Sequence, residues 1–200
     1  MKPRLILADD HKIVLDGLRG LLAAEFDIVA TAADGRELVR LVKELKPQAV
    51  VADISMPLLN GIEAARQLPG VKFVFLTMHP EPSYLLRALQ AGALGYVLKH
   101  AAAEELTVAI RRALAGKTYV SPGLRTPAVE EMPRSLELTP RQREVLQLLA
   151  EGKSAKEIGA ILEISARTVE THKYTMMDEL GVRTSAELVQ HAIKEGLVSP

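Results

Sequence analysis

Five short apolar runs alternate with amphipathic stretches along the first part of the chain. The runs begin near Arg4, Asp27, Gln48, Val71 and Gly95, and apolar residues recur at helical spacing over residues 11–24, 35–45, 61–68, 82–91 and 103–115. Strands that alternate with helices in this way predict βα units and a parallel sheet. The run Ala49-Val-Val-Ala has no polar position, which is typical of a strand covered by helices on both faces.

The alternation stops after Gly116. Pro122, Gly123, Pro127 and Pro133 then fall in a stretch with little apolar periodicity. Such a stretch is typical of a linker. We therefore predict a first domain at residues 1–118, a linker at 119–136 and a second domain at 137–200.

The second domain carries several helix start and stop sequences. Ser/Thr-x-x-Glu/Gln capping boxes begin at Thr139, Ser154 and Thr184, and Ser165 can cap a further helix between the last two. Glycines stand where the helices would end, at positions 152, 181 and 196. These sequences predict an all-α domain of four short helices.

Composition narrows the classes of function. The chain has 200 residues, of which 48% are hydrophobic and 25% charged, and this balance is typical of globular proteins. No apolar run approaches the length of a membrane span, and two acids interrupt the first ten residues, which argues against a signal peptide. The absence of cysteine excludes disulfides, thiolate metal sites and cysteine nucleophiles. We expect a cytoplasmic protein with no membrane partner.

Four of the predicted strands end in polar side chains of different kinds. Asp9 and Asp10 follow the first strand, Asp53 the third, Thr77 the fourth and Lys99 the fifth. Open α/β sheets bind ligands at the carboxyl ends of their strands, so we expect these side chains to form one site.

The chemistry of this set favours phosphoryl transfer. Clustered carboxylates repel one another unless a cation lies among them, and Mg²⁺ prefers oxygen ligands of this kind. Asp53 can then act as nucleophile, Lys99 can offset phosphoryl charge and Thr77 can donate a hydrogen bond to a phosphoryl oxygen. Taken singly, each residue also has an ordinary structural role, such as helix capping for Asp9 and Asp10. The joint placement of all of them favours the site.

The motifs of the first domain match a known family in order and spacing. They are Asp9-Asp10, Asp53 with Met56-Pro57 and Gly61, Thr77, and Tyr96-Val-Leu-Lys99. The domain resembles the receiver of two-component response regulators, which implies a flavodoxin-like, doubly wound sheet of five parallel strands in the order 2-1-3-4-5. The resemblance implies that a sensor histidine kinase phosphorylates Asp53. It also implies that Mg²⁺ is bound by Asp10, Asp53 and the backbone carbonyl of Ser55, with Asp9 acting through water.

The resemblance further implies that Thr77 and Tyr96 form a switch. Phosphorylation would draw the Thr77 hydroxyl toward Asp53 and allow the Tyr96 ring to turn inward, which reshapes the surface around the fourth helix and fifth strand. Alternatively, Tyr96 is a half-buried strand aromatic without a switching role. Ser55 and His79 flank the site, and we hypothesise that they tune the lifetime of the phosphoryl group. His79 has the alternative interpretation of a solvated loop residue.

The second domain resembles the LuxR-type helix-turn-helix of NarL/FixJ regulators. The resemblance is carried by Leu138-Thr-Pro-Arg-Gln-Arg-Glu, Gly152-Lys-Ser-Ala-Lys-Glu-Ile, Thr168-Val-Glu-Thr-His-Lys and Leu180-Gly-Val-Arg-Thr. It implies a first helix of the motif at residues 155–162 and a recognition helix at 166–180. Double-stranded promoter DNA is the partner that this resemblance implies.

Helical geometry separates a core face of the recognition helix from a DNA face. Val169, Met176 and Leu180 share the core face, and the predicted DNA contacts are Arg167, Glu170, Thr171 and Tyr174, with Lys153, Lys156 and Lys173 placed to reach phosphates. The family's base-reading positions map onto Glu170, Thr171 and Tyr174.

The charge of the second domain weighs against strong DNA binding. Residues 138–200 contain eight Lys/Arg and nine Asp/Glu, a net charge of −1, and Glu170, Asp178 and Glu179 lie on the recognition helix. We therefore expect weak binding by a monomer and a homodimer when the receiver is phosphorylated, formed through the helix at 185–195. That helix has the alternative role of closing the domain core.

These inferences combine into a phosphorylation-controlled transcription regulator that is not an enzyme, apart from the slow loss of its own phosphoryl group. One alternative is a phosphohydrolase with an aspartyl-phosphate intermediate, although such enzymes usually need a second acid where Ser55 stands. Another is a protein-interaction module whose helix-turn-helix has lost DNA binding, as the acidic recognition helix would allow.

Overall fold

The computed structural model describes residues 1–100, 103–122, 124, 138–194 and 197–198. The chain divides into two compact units, Met1–Met132 and Pro133–Pro200. Most of the predicted linker and Gly196 lie outside the described residues, so the domain boundaries at 119 and 136 stay predictions.

A six-stranded parallel sheet forms the centre of the first unit. Its strands are β1 (Arg4–Ala8), β2 (Asp27–Ala32), β3 (Ala49–Ala52), β4 (Phe73–Thr77), β5 (Gly95–Leu98) and β6 (Tyr119–Val120), in the order β2-β1-β3-β4-β5-β6. The order of the five predicted strands is confirmed. The sheet has one strand more than expected, because Tyr119 and Val120, in the predicted linker, pair with Gly95 and Tyr96 of β5.

Helices cover both faces of this sheet, as the doubly wound fold requires. They are α1 (Lys12–Leu22), α2 (Gly35–Leu45), α3 (Gly61–Arg66), α4 (Pro82–Gln90) and α5 (Ala103–Leu114). Alternate strand residues point to opposite faces, so Ile6 and Phe75 pack with α2, α3 and α4, whereas Leu7 and Val74 pack with α1 and α5. The site residues therefore stand above two buried layers, at the carboxyl edge of the sheet.

Four helices make up the part of the second unit that the structure describes, as predicted. They are α6 (Pro140–Ala150), α7 (Ala155–Leu162), α8 (Ala166–Leu180) and α9 (Ser185–Lys194). Thr139 and Ser154 form capping boxes with Gln142 and Glu157, and the Thr184 hydroxyl accepts from the Glu187 N–H at 3.2 Å. Residues from every helix share a buried core, which includes Val145, Leu146, Ile158, Leu162, Val169, Met176, Leu188 and Ala192.

Among the described helices, none combines the length and the apolar character that a bilayer span requires.

Candidate functional site

The Lys99 ammonium group joins two of the predicted carboxylates. Its Nζ lies 2.7 Å from Asp9 Oδ2 and 2.7 Å from Asp53 Oδ2. Asp9 and Asp53 are 1% and 6% exposed, so both ion pairs are largely shielded from water. The ends of β1, β3 and β5 thus meet at one point. Backbone hydrogen bonds align these ends, because the Asp53 N–H donates to Ala8 O and the Lys99 N–H donates to Thr77 O.

Burial and the positive charge of Lys99 shift the pKa of Asp53 in opposite directions. Desolvation is the largest effect and raises the pKa of this carboxyl, while the hydrogen bond and charge of Lys99 lower it and Asp9 raises it. Burial also opposes the charge on Lys99, but its bonds to Asp53 and Asp9 outweigh that effect and raise the pKa of the ammonium group. Asp53 Oδ1 accepts the Ile54 N–H at 2.6 Å, which leaves the carboxylate fixed in orientation.

Asp9 and Asp10 form a pair of carboxylates beside the Lys99 ion pairs. His11 Nδ1 is 3.2 Å from Asp9 Oδ1 and 2.7 Å from Asp10 Oδ1, and ligand atoms of the three residues all lie within 4.8 Å of one another. The Asp9 and Asp10 carboxylates, together with Asp53, outnumber the Lys99 cation. This surplus of oxygen donors and negative charge fits a divalent ion such as Mg²⁺.

Gly61 lets α3 begin directly against Asp53. Its N–H donates to Ile54 O at 2.9 Å, and a Cβ built on Gly61 would stand 2.1 Å from the backbone carbonyl oxygen of Asp53. No side chain fits at that distance, so glycine is the residue that allows this approach. Asn60 completes the turn by accepting the Glu63 N–H at the start of the helix.

Thr77 and Tyr96 both contact the backbone of the loop after β4. Thr77 is fully buried, and its hydroxyl accepts the His79 N–H at 3.2 Å. The Tyr96 hydroxyl donates to His79 O at 2.8 Å. Tyr96 is fully buried rather than half-buried, and this burial raises the pKa of its phenol. The structure therefore has the Tyr96 ring in an inward position.

His79 is held on two sides. Its Nε2 lies 2.7 Å from Ser55 Oγ, and its ring stacks on Tyr84 with centroids 4.0 Å apart. The His79 side chain is only 16% exposed to solvent, so His79 is not a solvated loop residue.

Ser121 connects β5 to the start of α5. Its hydroxyl accepts the Leu98 N–H at 3.2 Å and donates to the Glu105 carboxylate, and its own N–H donates to Tyr96 O at 2.9 Å. The residue that follows β6 is thus bonded to the strand that carries Tyr96 and precedes Lys99.

The recognition helix α8 has the faces that its sequence predicts. Val169 and Met176 are fully buried and Leu180 is partly buried, while Arg167, Thr171 and Tyr174 are exposed. Glu170 lies 3.5 Å from Lys173 Nζ, which itself lies 5.6 Å from the centre of the Tyr174 ring. Lys153 precedes α7 and Lys156 lies exposed in its first turn.

Another acid of α8 is bonded to a different helix of the domain. Glu179 Oε2 accepts a hydrogen bond from Gln142 Nε2 at 2.9 Å, and Gln142 is 5% exposed. Glu179 therefore ties α8 to α6, although it is exposed like the neighbouring Asp178. Glu163, in the turn between α7 and α8, adopts a left-handed conformation with φ 56°, a region that favours glycine.

Comparison with known proteins decides the family. Residues 5–111 match the response regulator receiver domain, and residues 136–192 match the bacterial regulatory proteins of the luxR family. The chain is a NarL/FixJ-type two-component response regulator. This response regulator is 37% identical over 208 residues to the transcriptional regulatory protein MctR of Rhizobium johnstonii, covering 99% of this chain and 96% of MctR. It is also 37% identical to the oxygen regulatory protein NreC of Staphylococcus aureus, covering 98% and 99% of the two chains.

A solved response regulator shares the fold. RcsB of Salmonella enterica serovar Typhimurium, bound to promoter P1flhDC in the presence of the phosphomimetic BeF3⁻, has a TM-score of 0.63 to this chain at 28% identity, covering 95% of this chain and 98% of RcsB. RcsB has also been solved as two dimers bound to two parallel DNAs, with a TM-score of 0.58 at 31% identity and coverages of 95% and 97%.

The structure adds residues that the sequence analysis of this response regulator did not assign to the site. His11 contacts both Asp9 and Asp10, and Tyr84 contacts His79. For His11 the signal was its direct adjacency to the two acids. Tyr84 gave no separate signal, because an aromatic residue at an apolar helix position is expected in any core.

Proposed function

We propose that phosphorylation of Asp53 by a sensor histidine kinase controls sequence-specific binding of this response regulator to promoter DNA in the cytoplasm. The observation that carries the proposal is the position of Lys99 Nζ, 2.7 Å from both Asp53 and Asp9. A buried carboxylate that is fixed in orientation and faces a single cation is suited to nucleophilic attack on a phosphoryl group.

Each residue of the site has a defined role in this reaction. An Asp53 oxygen forms the new bond to phosphorus, and the bond between phosphorus and the kinase histidine breaks. Lys99 offsets the charge of the transferred group, and the Thr77 hydroxyl turns from the His79 N–H to donate to a phosphoryl oxygen. Asp10, Asp53 and the Ser55 carbonyl would hold Mg²⁺, with Asp9 acting through water. Bound Mg²⁺ supplies Lewis-acid stabilisation of phosphoryl charge.

The switch joins this site to the neighbouring elements. Movement of Thr77 toward Asp53 releases the His79 N–H, and the Tyr96 hydroxyl, which is bonded to the same residue, follows this loop. Because Ser121 binds both Tyr96 O and the Leu98 N–H, movement of β5 reaches the chain that leads out of the domain. A local change of charge thereby alters the α4–β5 surface and the segment beyond it.

The second domain supplies the DNA contacts. Arg167, Glu170, Thr171 and Tyr174 face the major groove, while Lys173, Lys153 and Lys156 contact phosphates. The ion pair of Glu170 with Lys173 offsets one negative charge of this helix, and the bond from Gln142 holds the Glu179 carboxylate toward α6. DNA-bound dimers of RcsB support the view that this chain also binds as a homodimer when phosphorylated.

The test treats the protein with Mg²⁺ and acetyl phosphate and measures the intact mass. We expect a gain of one phosphoryl group that Asp53→Asn abolishes. Asp10→Asn should weaken Mg²⁺ binding, which is measured by calorimetry without any phosphodonor, and should slow phosphorylation accordingly. Asp16→Asn, which changes an exposed acid on α1, is the matched control. Unchanged mass of the parent protein would refute the proposal.

A further inference from the structure

Two stacked rings connect α4 to the loop beside the phosphorylation site. The His79 and Tyr84 rings lie with centroids 4.0 Å apart and planes inclined by 11°. Tyr84 is a buried residue of α4, whereas His79 lies in the loop between β4 and α4. Because a flat contact is lost when either ring turns, the buried Tyr84 ring fixes the plane of the imidazole.

Further contacts of His79 direct its ring toward Ser55. Its Nδ1 lies 3.6 Å from a Glu81 carboxylate oxygen, which favours a proton on Nδ1. The Nε2 then accepts a hydrogen bond from the Ser55 hydroxyl, 2.7 Å away. This bond joins the loop after β3 to the loop after β4, at positions two residues beyond Asp53 and two residues beyond Thr77.

We propose that Tyr84 is a positioning residue that slows hydrolysis of phosphorylated Asp53 by holding His79 against Ser55. The inference rests on the proposed phosphorylation of Asp53. In hydrolysis a water oxygen bonds to phosphorus, and the bond from phosphorus to the Asp53 oxygen breaks with its electron pair returning to the carboxylate. One water proton stays on the released phosphate and the other passes to solvent.

The bond between Ser55 and His79 restricts this water. Attack is in line, so the water approaches phosphorus from the side opposite the Asp53 oxygen, at the open edge of the sheet. Two loops tied together at that edge leave less freedom for a water molecule to reach the in-line position. Since Tyr84 belongs to α4, a partner that shifts α4 also changes how long the phosphoryl group persists.

The experiment follows decay of the phosphorylated full-length protein after removal of acetyl phosphate. We expect Tyr84→Leu, which keeps apolar bulk without a ring face, to decay about twofold to tenfold faster than the parent. Tyr84→Phe retains the stack and should decay at the parent rate. In a His79→Ala background, Tyr84→Leu should add no further acceleration, because it acts through His79. Ser55→Ala breaks the same link from the other side and should also accelerate decay.

The possible failures are distinct. Decay of Tyr84→Leu at the parent rate, acceleration that multiplies with that of His79→Ala, or parent-like decay of Ser55→Ala would each overturn the role of Tyr84. If Tyr84→Leu does not fold, Tyr84→Met, which also removes the ring face and keeps apolar bulk, takes its place in the same comparisons. A parent protein that gains no phosphoryl mass would refute the proposed function itself, and this inference with it.

Discussion

Asp53 is a carboxylate whose burial opposes its charge. Desolvation raises its pKa above the usual value of 3.8, so the Asp53 carboxyl group binds its proton more tightly in the folded protein than in the unfolded chain. The contribution of Asp53 to stability is therefore fully present below about pH 3.8 and is lost as pH rises through the folded-state pKa. The ionised Asp53 carboxylate therefore does not stabilise the fold, which is compatible with its proposed role as phosphoacceptor.

We predict that Asp53→Asn stabilises the receiver increasingly as pH rises. For each unit by which folding raises the pKa of Asp53, the parent protein loses about 1.4 kcal/mol of unfolding free energy at pH values above the folded-state pKa. Asp53→Asn has no charge at this position and avoids that loss. Denaturant unfolding between about pH 4 and pH 8, without Mg²⁺, measures the difference. Asp16→Asn should stay within about 0.5 kcal/mol of the parent throughout. A difference between Asp53→Asn and the parent that shrinks with pH would contradict this account.

The sequence predicted where the polar residues of the site would meet, but it predicted few of their other contacts. Asp9, Asp53 and Lys99 were found because the carboxyl ends of parallel strands must share an edge. The stack of His79 on Tyr84 and the bond from Gln142 to Glu179 depend on how two helices or a loop and a helix pack. Apolar periodicity defines each element separately and carries no information about such pairs.

The helix α3 is the element most closely adapted to the site. Gly61 brings its first residue against Asp53, and Asn60 caps it from the preceding turn. The position of Asp53 therefore depends on a close approach of two backbone segments.

Gly61→Ala should displace α3 from Asp53. The added Cβ would stand 2.1 Å from the Asp53 carbonyl oxygen, so we expect a loss of about 1–3 kcal/mol in unfolding free energy and slower phosphorylation. Gly17→Ala in α1 is the control, because no atom lies within 4 Å of its Cβ. That variant should be stabilised by up to about 1 kcal/mol. Equal effects of the two substitutions would exclude the steric explanation.

The recognition helix α8 carries basic and acidic side chains whose effects on DNA binding can be measured separately by mutation. Lys173→Ala should weaken DNA binding and reduce the slope of log affinity against log salt by about 1, because one phosphate contact is lost. Asp178→Asn should strengthen binding by removing an exposed acid from the same helix. Titrations at several salt concentrations measure both. Identical salt slopes for Lys173→Ala and the parent would remove Lys173 from the interface.

The sequence predicted nearly every helix and strand of the described residues. The capping boxes and the alternation of apolar runs defined the elements, and the order of five strands followed from the family resemblance. β6 was missed because two residues are too few to show an alternating pattern.

In the proposed function, a change of charge in the receiver controls DNA binding by a pair of chains. Helix α9 contributes Leu188 and Ala192 to the core, while Ala186, Glu187 and Gln190 are exposed. One face of this helix therefore closes the domain, and the other is available for the proposed pairing of two chains.

We predict that phosphorylation favours DNA with two half-sites over DNA with one. A dimer that engages both half-sites gains affinity through effective concentration, by about 100-fold or more over a single half-site. Light scattering and DNA titration of the acetyl phosphate-treated protein measure mass and affinity together, with Asp53→Asn as the unphosphorylated control. Equal preference for the two DNAs in both proteins would contradict phosphorylation-dependent pairing.

The short strand β6 also protects the edge of the sheet. It pairs with Gly95 and Tyr96, and Ser121 immediately after it binds the Leu98 N–H and the Glu105 carboxylate. Exposed strand edges recruit other chains and lead to aggregation. A receiver fragment that ends at residue 118 would leave β5 uncovered, so one that continues through residue 124 should remain monomeric at concentrations at which the shorter fragment precipitates.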